Sequence, residues 1–209
     1  MNPNRIESAQ RASGGLVFAV SFSLPEWLRQ ESSRRTAALS RIEERMDFVI
    51  NLARMNIQNK TGGPFAAAVF TIPDGKLISA GINLVTSANA SILHAEMVAL
   101  TLAQNSLGSW DLSAPEMPAC ELVASSEPCA MCFGALPWSG IKRLVCGARR
   151  EDAAHAGFDE GEKPADWTGA LVRRGIEVVR DVCRVEAAGA IDSYARSGGV
   201  IYNARRAAR

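Results

Sequence analysis

The 209-residue chain is poor in histidine, with two, has an odd number of cysteines, five, is only 6% aromatic, and shows no excess of either charge, with 23 basic and 22 acidic side chains. Each scarcity excludes something. With only His94 and His155 available, a site built on several imidazoles is impossible, so any metal site must lean on thiolates. A formal net charge of +1 leaves no broad electrostatic footprint for nucleic acid, which needs clustered Lys and Arg. The basic pairs Arg34-Arg35, Arg149-Arg150 and Arg173-Arg174 and the terminal Arg205, Arg206 and Arg209 read as solvated surface. Five cysteines cannot all pair, and two of them lie three apart, which suits a reducing compartment, the cytoplasm by expectation. No run approaches the roughly 20 apolar residues of a membrane span. The stretch Leu16 to Phe22, after Arg5 and Arg11, imitates a signal peptide but is short and meets no small-residue cleavage site before Pro25 and Trp27.

What the chain does contain is an ordinary globular composition, 47% hydrophobic and 22% charged, which excludes wholesale disorder, collagen-like repeats and disulfide-dense scaffolds. Residues 1–35 mix Ser, Gly, Arg and Gln without periodicity and read as an N-terminal extension; residues 36–209 read as one domain. From Thr36 onward, Leu39, Ile42, Met46, Val49, Ala53 and Ile57 recur every three or four residues, which predicts an amphipathic helix. Asn59 to Pro64 ends it. The runs Phe65 to Thr71 and Lys76 to Ile82, joined by Pro73-Asp74-Gly75, form a hairpin signature. A polar loop from Asn83 to Ser91 leads to a helix from His94 to Leu107, stopped at Gly108. Ala119 to Ala124 reads as a buried strand despite Glu121, Cys129 to Trp138 as a helix entered at Pro128, and Arg143 to Gly147 as a strand. After a long polar segment from Arg149 to Thr168 come a strand, Gly175 to Val182, a helix, Glu186 to Arg196, and a tail from Gly198. Strands alternating with helices predict a mixed sheet covered on both faces, a three-layer α/β/α sandwich.

Chemistry-bearing residues converge in two places, His94-Ala95-Glu96 and Pro128-Cys129-Ala130-Met131-Cys132. Three apart at a helix start, Cys129 and Cys132 can point their sulfurs at one ion, and a helix N-terminus favours thiolates. One imidazole and two thiolates offset the charge of Zn²⁺ and leave a fourth position open, the mark of catalytic rather than structural zinc. Glu96, two residues from the ligand, is placed to carry a proton away from activated water. The chemistry expected is zinc-assisted attack of hydroxide on an amidine-like carbon with loss of ammonia. Taken alone, C-x-x-C is shared with redox motifs and structural zinc, and H-x-E is weaker still. In the order H-x-E then P-C-x-x-C, with a helix and strand between, they form the zinc deaminase signature. No second cysteine pair exists to close a structural site, and Cys120, Cys146 and Cys183 lie in or beside apolar runs as plain buried thiols.

Gly62-Gly63-Pro64-Phe65 before a hairpin, Asn83, His94-Ala95-Glu96, the run Glu127 to Ala135 and Trp138 together resemble the cytidine and deoxycytidylate deaminase superfamily, and Ala156-Gly157-Phe158-Asp159-Glu160 resembles its bacterial-type guanine deaminases. The similarity spans about residues 38 to 204. It implies a cytidine deaminase-like fold, hydrolysis of guanine to xanthine and ammonia, and a homodimer whose C-terminal segment is exchanged between subunits. It also implies that His94, Cys129 and Cys132 hold zinc, with His94 bordering the substrate, that Glu96 shuttles protons, and that Asn83 hydrogen-bonds the purine. Phe65 and Trp138 would wall a flat ring, and Glu160 would reach the amino side of the substrate. The chain departs from the family in having Glu at 160 where Asp is common, in the residues before 36, and in the aromatic spacing of Gly199 to Asn203, which leaves both Tyr194 and Tyr202 as candidates for the pocket. A deaminase of another amino-heterocycle, such as an aminotriazine, would use the same chemistry. A tRNA adenosine deaminase shares both motifs, but the near-neutral charge and the Gly-Phe-Asp-Glu loop count against it. A silent zinc scaffold is the reading from another class, and it would have no need of Glu96.

Overall fold

Every residue of strand β1, Ala66–Thr71, is buried. Its side chains divide by parity between two separate apolar clusters, Ala66, Ala68 and Phe70 in one and Ala67 and Val69 in the other. A strand that is apolar at consecutive positions is one covered on both faces. The computed structural model describes residues 21–35 and 37–203. The expectations placed on residues 1–20, on Thr36 and on Arg205, Arg206 and Arg209 lie outside the described residues; they include all but the end of the Leu16 to Phe22 stretch.

Beside β1 stand β2 (Leu77–Ile82), β3 (Cys120–Ser126), β4 (Arg143–Ala148) and β5 (Glu177–Val179), in the order β2-β1-β3-β4-β5. β1 is antiparallel to both β2 and β3, while β3, β4 and β5 run parallel. Eight helices accompany them among the described residues: α1 (Glu26–Ser33), α2 (Ile42–Gln58), α3 (Val85–Ala88), α4 (Ala95–Leu107), α5 (Ala130–Ser139), α6 (Arg150–His155), α7 (Trp167–Val172) and α8 (Arg184–Arg196). Met46, Val49, Ile50 and Ala53 of α2 join Ala187 and Ile191 of α8 on one face of the sheet. Ala99 and Ala103 of α4, Leu136 of α5 and Leu171 of α7 cover the other. This is the three-layer α/β/α arrangement with a mixed sheet that the alternation of elements predicts.

Glu121, the acid inside the buried strand β3, is fully buried between two guanidiniums: Arg45 Nε of α2 and Arg143 Nε of β4 each lie 2.6 Å from it. The Arg143 contact is an aligned hydrogen bond, whereas the Arg45 contact is a close ion pair whose Nε–H points off line. Arg45 Nη1 also donates to the Leu39 carbonyl at 2.7 Å, and Leu39 N to Gly75 O at 3.0 Å. Those bonds hold residues 39–40 against the hairpin turn, which is why α2 starts at Ile42 and not at the first residue of the apolar period. Further along, the polar segment from Arg149 to Thr168 holds one helix and the start of another. Asp152 accepts from Arg149 N at 2.8 Å and Asp166 from Gly169 N at 3.0 Å, so acids that read as loop residues cap helices. β5 keeps only three residues of the run expected from Gly175 to Val182.

The residues before 36 also differ from expectation. Leu28 of α1 is fully buried against the α2 side of the core, and Trp27 Nε1 donates to Thr61 Oγ1 at 3.3 Å. α1 therefore packs as part of the domain, and the boundary drawn at residue 36 falls too late. Amphipathic signals in so short a helix are weak, because eight residues cover barely two turns. Leu28→Ala should destabilise the protein by about 2–5 kcal/mol in urea unfolding, the cost of emptying a buried leucine site; a change under about 0.5 kcal/mol, typical of an exposed position, would contradict the packing of α1.

Candidate active site

Two helix N-termini meet beyond the carboxyl end of β3 and the amino end of the antiparallel β1. His94 is the N-cap of α4 and Cys129 the N-cap of α5, both in extended backbone conformation, and Cys132 follows one turn into α5. Their ligand atoms lie within 4.8 Å of one another, with His94 Nδ1 at 3.4 Å from Cys129 Sγ and 3.6 Å from Cys132 Sγ. Among the described residues no other group of three metal-ligating side chains forms. The sulfurs share one proton: the Cys132 thiol donates to Cys129, which with the help of His94 pulls Cys129 down to about 4 and pushes Cys132 well up. A divalent cation is the charge that would let both act as thiolates. One half-buried imidazole and two buried sulfurs, aimed by two positive helix ends, match the donor chemistry of zinc.

Glu96, in the first turn of α4, is 8% exposed, and burial, reinforced by the Cys129 thiolate, holds its carboxyl above the usual range. Burial opposes the charged form of His94, but contact with Cys129 and the nearby acids outweighs it. Glu160 reaches the same place from the loop after α6. It is 9% exposed, and burial, with the charges of Cys129 and Glu96, pushes it up to about 8. The Glu160 carbonyl accepts from Ala130 N at 2.9 Å, so this loop also satisfies a free amide at the start of α5.

Asn83 follows β2 and is almost fully buried. Asn56 of α2 donates from Nδ2 to the carbonyls of Gly63 and Asn83 at 2.8 and 3.0 Å, tying the two loops together. The glycines there are a steric requirement: a Cβ at Gly62 would sit 1.8 Å from the Asn83 carbonyl oxygen. From its amide, Asn83 donates to the Tyr202 hydroxyl at 2.7 Å. Tyr202 stands edge-on to His94 and to Phe158, with ring centroids 6.1 and 5.5 Å apart, and Phe158 in turn meets Phe65 edge-on at 4.9 Å. His94, Cys129, Met131, Phe158, Glu160 and Tyr202 line a cavity of about 450 Å³. A recess of about 20 Å³ beside it reaches Asn83, Glu96, Phe65 and Ser126, whose buried hydroxyl has no hydrogen-bond partner among the described residues. A groove of about 510 Å³ between α1 and β2 is somewhat larger, but its lining of Leu24, Leu77, Leu102, Arg29 and neighbours holds no metal-ligating group.

The cytidine and deoxycytidylate deaminase zinc-binding region matches residues 39–148, more than half of the chain and the whole of the metal triad. The chain belongs to the cytidine and deoxycytidylate deaminase family. The guanine deaminase of Bacillus subtilis is 37% identical over 123 residues, 56% of this chain and 74% of that protein. A solved guanine deaminase from Nitrosomonas europaea is 46% identical, covering 88% of this chain and all of that one with a TM-score of 0.83. A solved mutant structure in complex with 8-azaguanine is 47% identical, covering 85% of this chain and 98% of that one with a TM-score of 0.82. The fold of this deaminase is thus shared with guanine deaminase structures over almost all of the described chain.

Of the residues singled out in the sequence, the structure groups His94, Cys129 and Cys132 as ligands and brings His94, Cys129 and Glu160 to the cavity and Phe65, Asn83 and Glu96 to the recess beside it. Trp138 is the exception. It is 79% exposed, beside Phe133, Pro137, Leu171 and Arg174, and does not wall the site. Six residues beyond Cys132, it is rotated by about 120° from the metal face of α5 and lies about 9 Å further along the helix. Of the two tyrosines, Tyr202 reaches the pocket, while Tyr194 lies behind Phe158 and donates to the Val200 carbonyl at 3.1 Å. Residues 201–203 pack on the pocket of their own chain, with Asn203 bonded to Asp159 N and Gly157 O at 2.9 and 2.8 Å. Asn56, Ser126 and Asn203 carried no motif that sequence reasoning could use; each matters only through where the fold puts it. Among the described residues no helix is long and apolar enough to cross a membrane.

The purified protein should carry about one zinc per chain by elemental analysis. Cys132→Ser or His94→Ala should lower that content at least about tenfold, because two remaining donors make a poor site; undiminished zinc in both variants would refute the triad.

Proposed function

We propose that this enzyme hydrolyses guanine to xanthine and ammonia. The observation that carries the reading is that Asn83, Glu96 and Glu160 meet His94 in the recess adjoining the cavity at the metal triad, in a chain whose match to a whole guanine deaminase approaches half identity. When bound by His94, Cys129 and Cys132, zinc supplies Lewis acidity that makes water acidic enough to lose a proton near neutral pH. The remaining work falls to this chain's own side chains. Glu96, buried against the triad, takes the proton of water on a carboxylate oxygen and returns it to the ring nitrogen beside the carbon attacked. Glu160, held protonated near neutral pH by burial, donates to the exocyclic amine as it leaves as ammonia, and the proton lost from the added hydroxyl as the product carbonyl forms restores it. Asn83 has its backbone fixed by Asn56 and its side chain oriented by Tyr202 and Val85 N, and the remaining donor and acceptor capacity of its amide suits a purine edge. Phe65 and Phe158 give the flat ring apolar walls, and the unpaired Ser126 hydroxyl offers one further polar contact.

The proposal extends to a small nucleobase substrate rather than a nucleic acid, to work in the cytoplasm, and to a homodimer, for which a solution mass of two chains is expected; because residues 201–203 pack on the pocket of their own chain, exchange of that segment is not part of it. The experiment is ammonia release from guanine, adenine, cytosine, an aminotriazine and tRNA, with zinc measured in parallel. Guanine should be turned over fastest. Glu96→Gln should lower kcat by about 10²–10⁴ while keeping zinc, as removal of a general acid/base does. Ammonia from tRNA but none from guanine would overturn the substrate, and a fully active Glu96→Gln enzyme would overturn the mechanism.

A further inference from the structure

Lys163 belongs to no motif, yet it sits against the back of the site. Its Nζ donates to the Pro128 carbonyl at 2.5 Å, directly before the N-cap Cys129. The same ammonium lies 4.6 Å from the centre of the Trp167 ring, which also receives Arg180 at 5.5 Å. Trp167 is 8% exposed and anchored in the α4 side of the core, so it is a fixed platform for both cations. Lys163 lies three residues beyond Glu160 on the same loop. That loop is also held by Ala130 N on the Glu160 carbonyl, by Arg150 Nη2 on the Gly161 carbonyl at 3.0 Å and, at its start, by Asn203 on Asp159 N and Gly157 O. The charged and titratable groups around Lys163 are Glu127 at the end of β3, Glu160 on its own loop, Cys146 of β4 and Arg150 of α6. Glu127 is itself occupied by Arg180 Nε at 2.7 Å and Arg150 N at 3.2 Å, which leaves Lys163 free to serve a carbonyl and a ring.

We propose that Lys163 is a positioning residue of the deamination: by bonding Pro128 and resting on Trp167, it ties the loop carrying Glu160 to the turn carrying Cys129. The inference rests on the guanine deaminase reading for its chemistry, and on the contacts alone for its geometry. Without this tie, the acid loop keeps its bonds to Ala130, Arg150 and Asn203 but loses the side-chain bond to the turn carrying Cys129. Displacement of a catalytic group by about 1 Å is enough to cost roughly 10²-fold in rate.

Lys163→Met, which keeps the apolar stem and loses the charge and donors, should lower kcat on guanine about 10–100-fold with KM within about threefold of wild type and zinc content unchanged. Lys163→Arg should restore most of the rate, since a guanidinium can meet both the carbonyl and the ring. In a Glu160→Gln background, Lys163→Met should add little, because groups acting through one another are not additive. Amide hydrogen exchange over residues 158–164 should quicken in Lys163→Met. Full activity of Lys163→Met, or additive losses with Glu160→Gln, would overturn the inference. A wild-type enzyme inert on guanine would sink the substrate reading instead, and unchanged exchange over residues 158–164 in Lys163→Met would sink the geometric tie whatever the substrate.

Discussion

Two helices that point their N-termini at one spot are the constraint on which the rest of this site depends. α4 and α5 begin beside each other, and their caps, His94 and Cys129, are themselves metal-donor residues. Free amides and aligned peptide dipoles make that spot electropositive before any ion arrives, which is what stabilises thiolates there. The cost is a tight knot of groups with opposed demands. Two buried sulfurs and a half-buried imidazole lie within 4.8 Å of one another beside two buried carboxyls, and the groups hold one another away from their ordinary proton affinities. Such mutual perturbation is characteristic of catalytic centres, and here each shift has a named partner.

The sheet exists to hold those two helices in place. β1 and β3, at the boundary between the antiparallel and parallel halves, are buried on both sides, so neither can slide without moving a whole layer. α4 packs on β1 and β2 and delivers His94 and Glu96; β3 runs straight into the turn that delivers Cys129. The buried Arg45–Glu121–Arg143 cluster bridges α2, β3 and β4 at the opposite end of the same strands. A charged cluster of this kind adds little net stability but penalises any register that leaves one member unpaired.

Loops finish the pocket, and they are secured by side chains rather than by sheet bonds. Asn56 holds the Gly62-Gly63 turn to Asn83. Asn203 and Tyr202 bring the C-terminal residues to the Phe158-Asp159-Glu160 loop, and Arg150 and Lys163 hold that loop from behind. These bonds join positions separated by 27 to 119 residues where the two partners lie in different segments of the site, as for Asn56–Asn83 and Asn83–Tyr202. Spacing rules over three or four residues cannot register such pairs.

Much of the fold and the centre of the site were legible because their physics is local. Helix period, hairpin turn chemistry and alternation of elements are properties of neighbouring residues, and so is the geometry of C-x-x-C at a helix start; they suffice for the layers, for His94, Glu96, Cys129 and Cys132, and for zinc as the fitting ion. Where local signals competed with longer contacts, reading the sequence went astray. Leu28 looked like part of a loose arm because only the core shows what it packs on. The acids of residues 149–168 looked like loop until their helix caps were seen, and Trp138 looked like a pocket wall until the rotation of α5 turned it to solvent. By itself the sequence determined which chemistry this chain can perform, since that depends on residue types held a few positions apart. Only the tertiary structure decided which other distant groups attend it, Asn56, Ser126 and Lys163 among them, and that Tyr202 rather than Tyr194 does so, because their meeting depends on how whole layers pack.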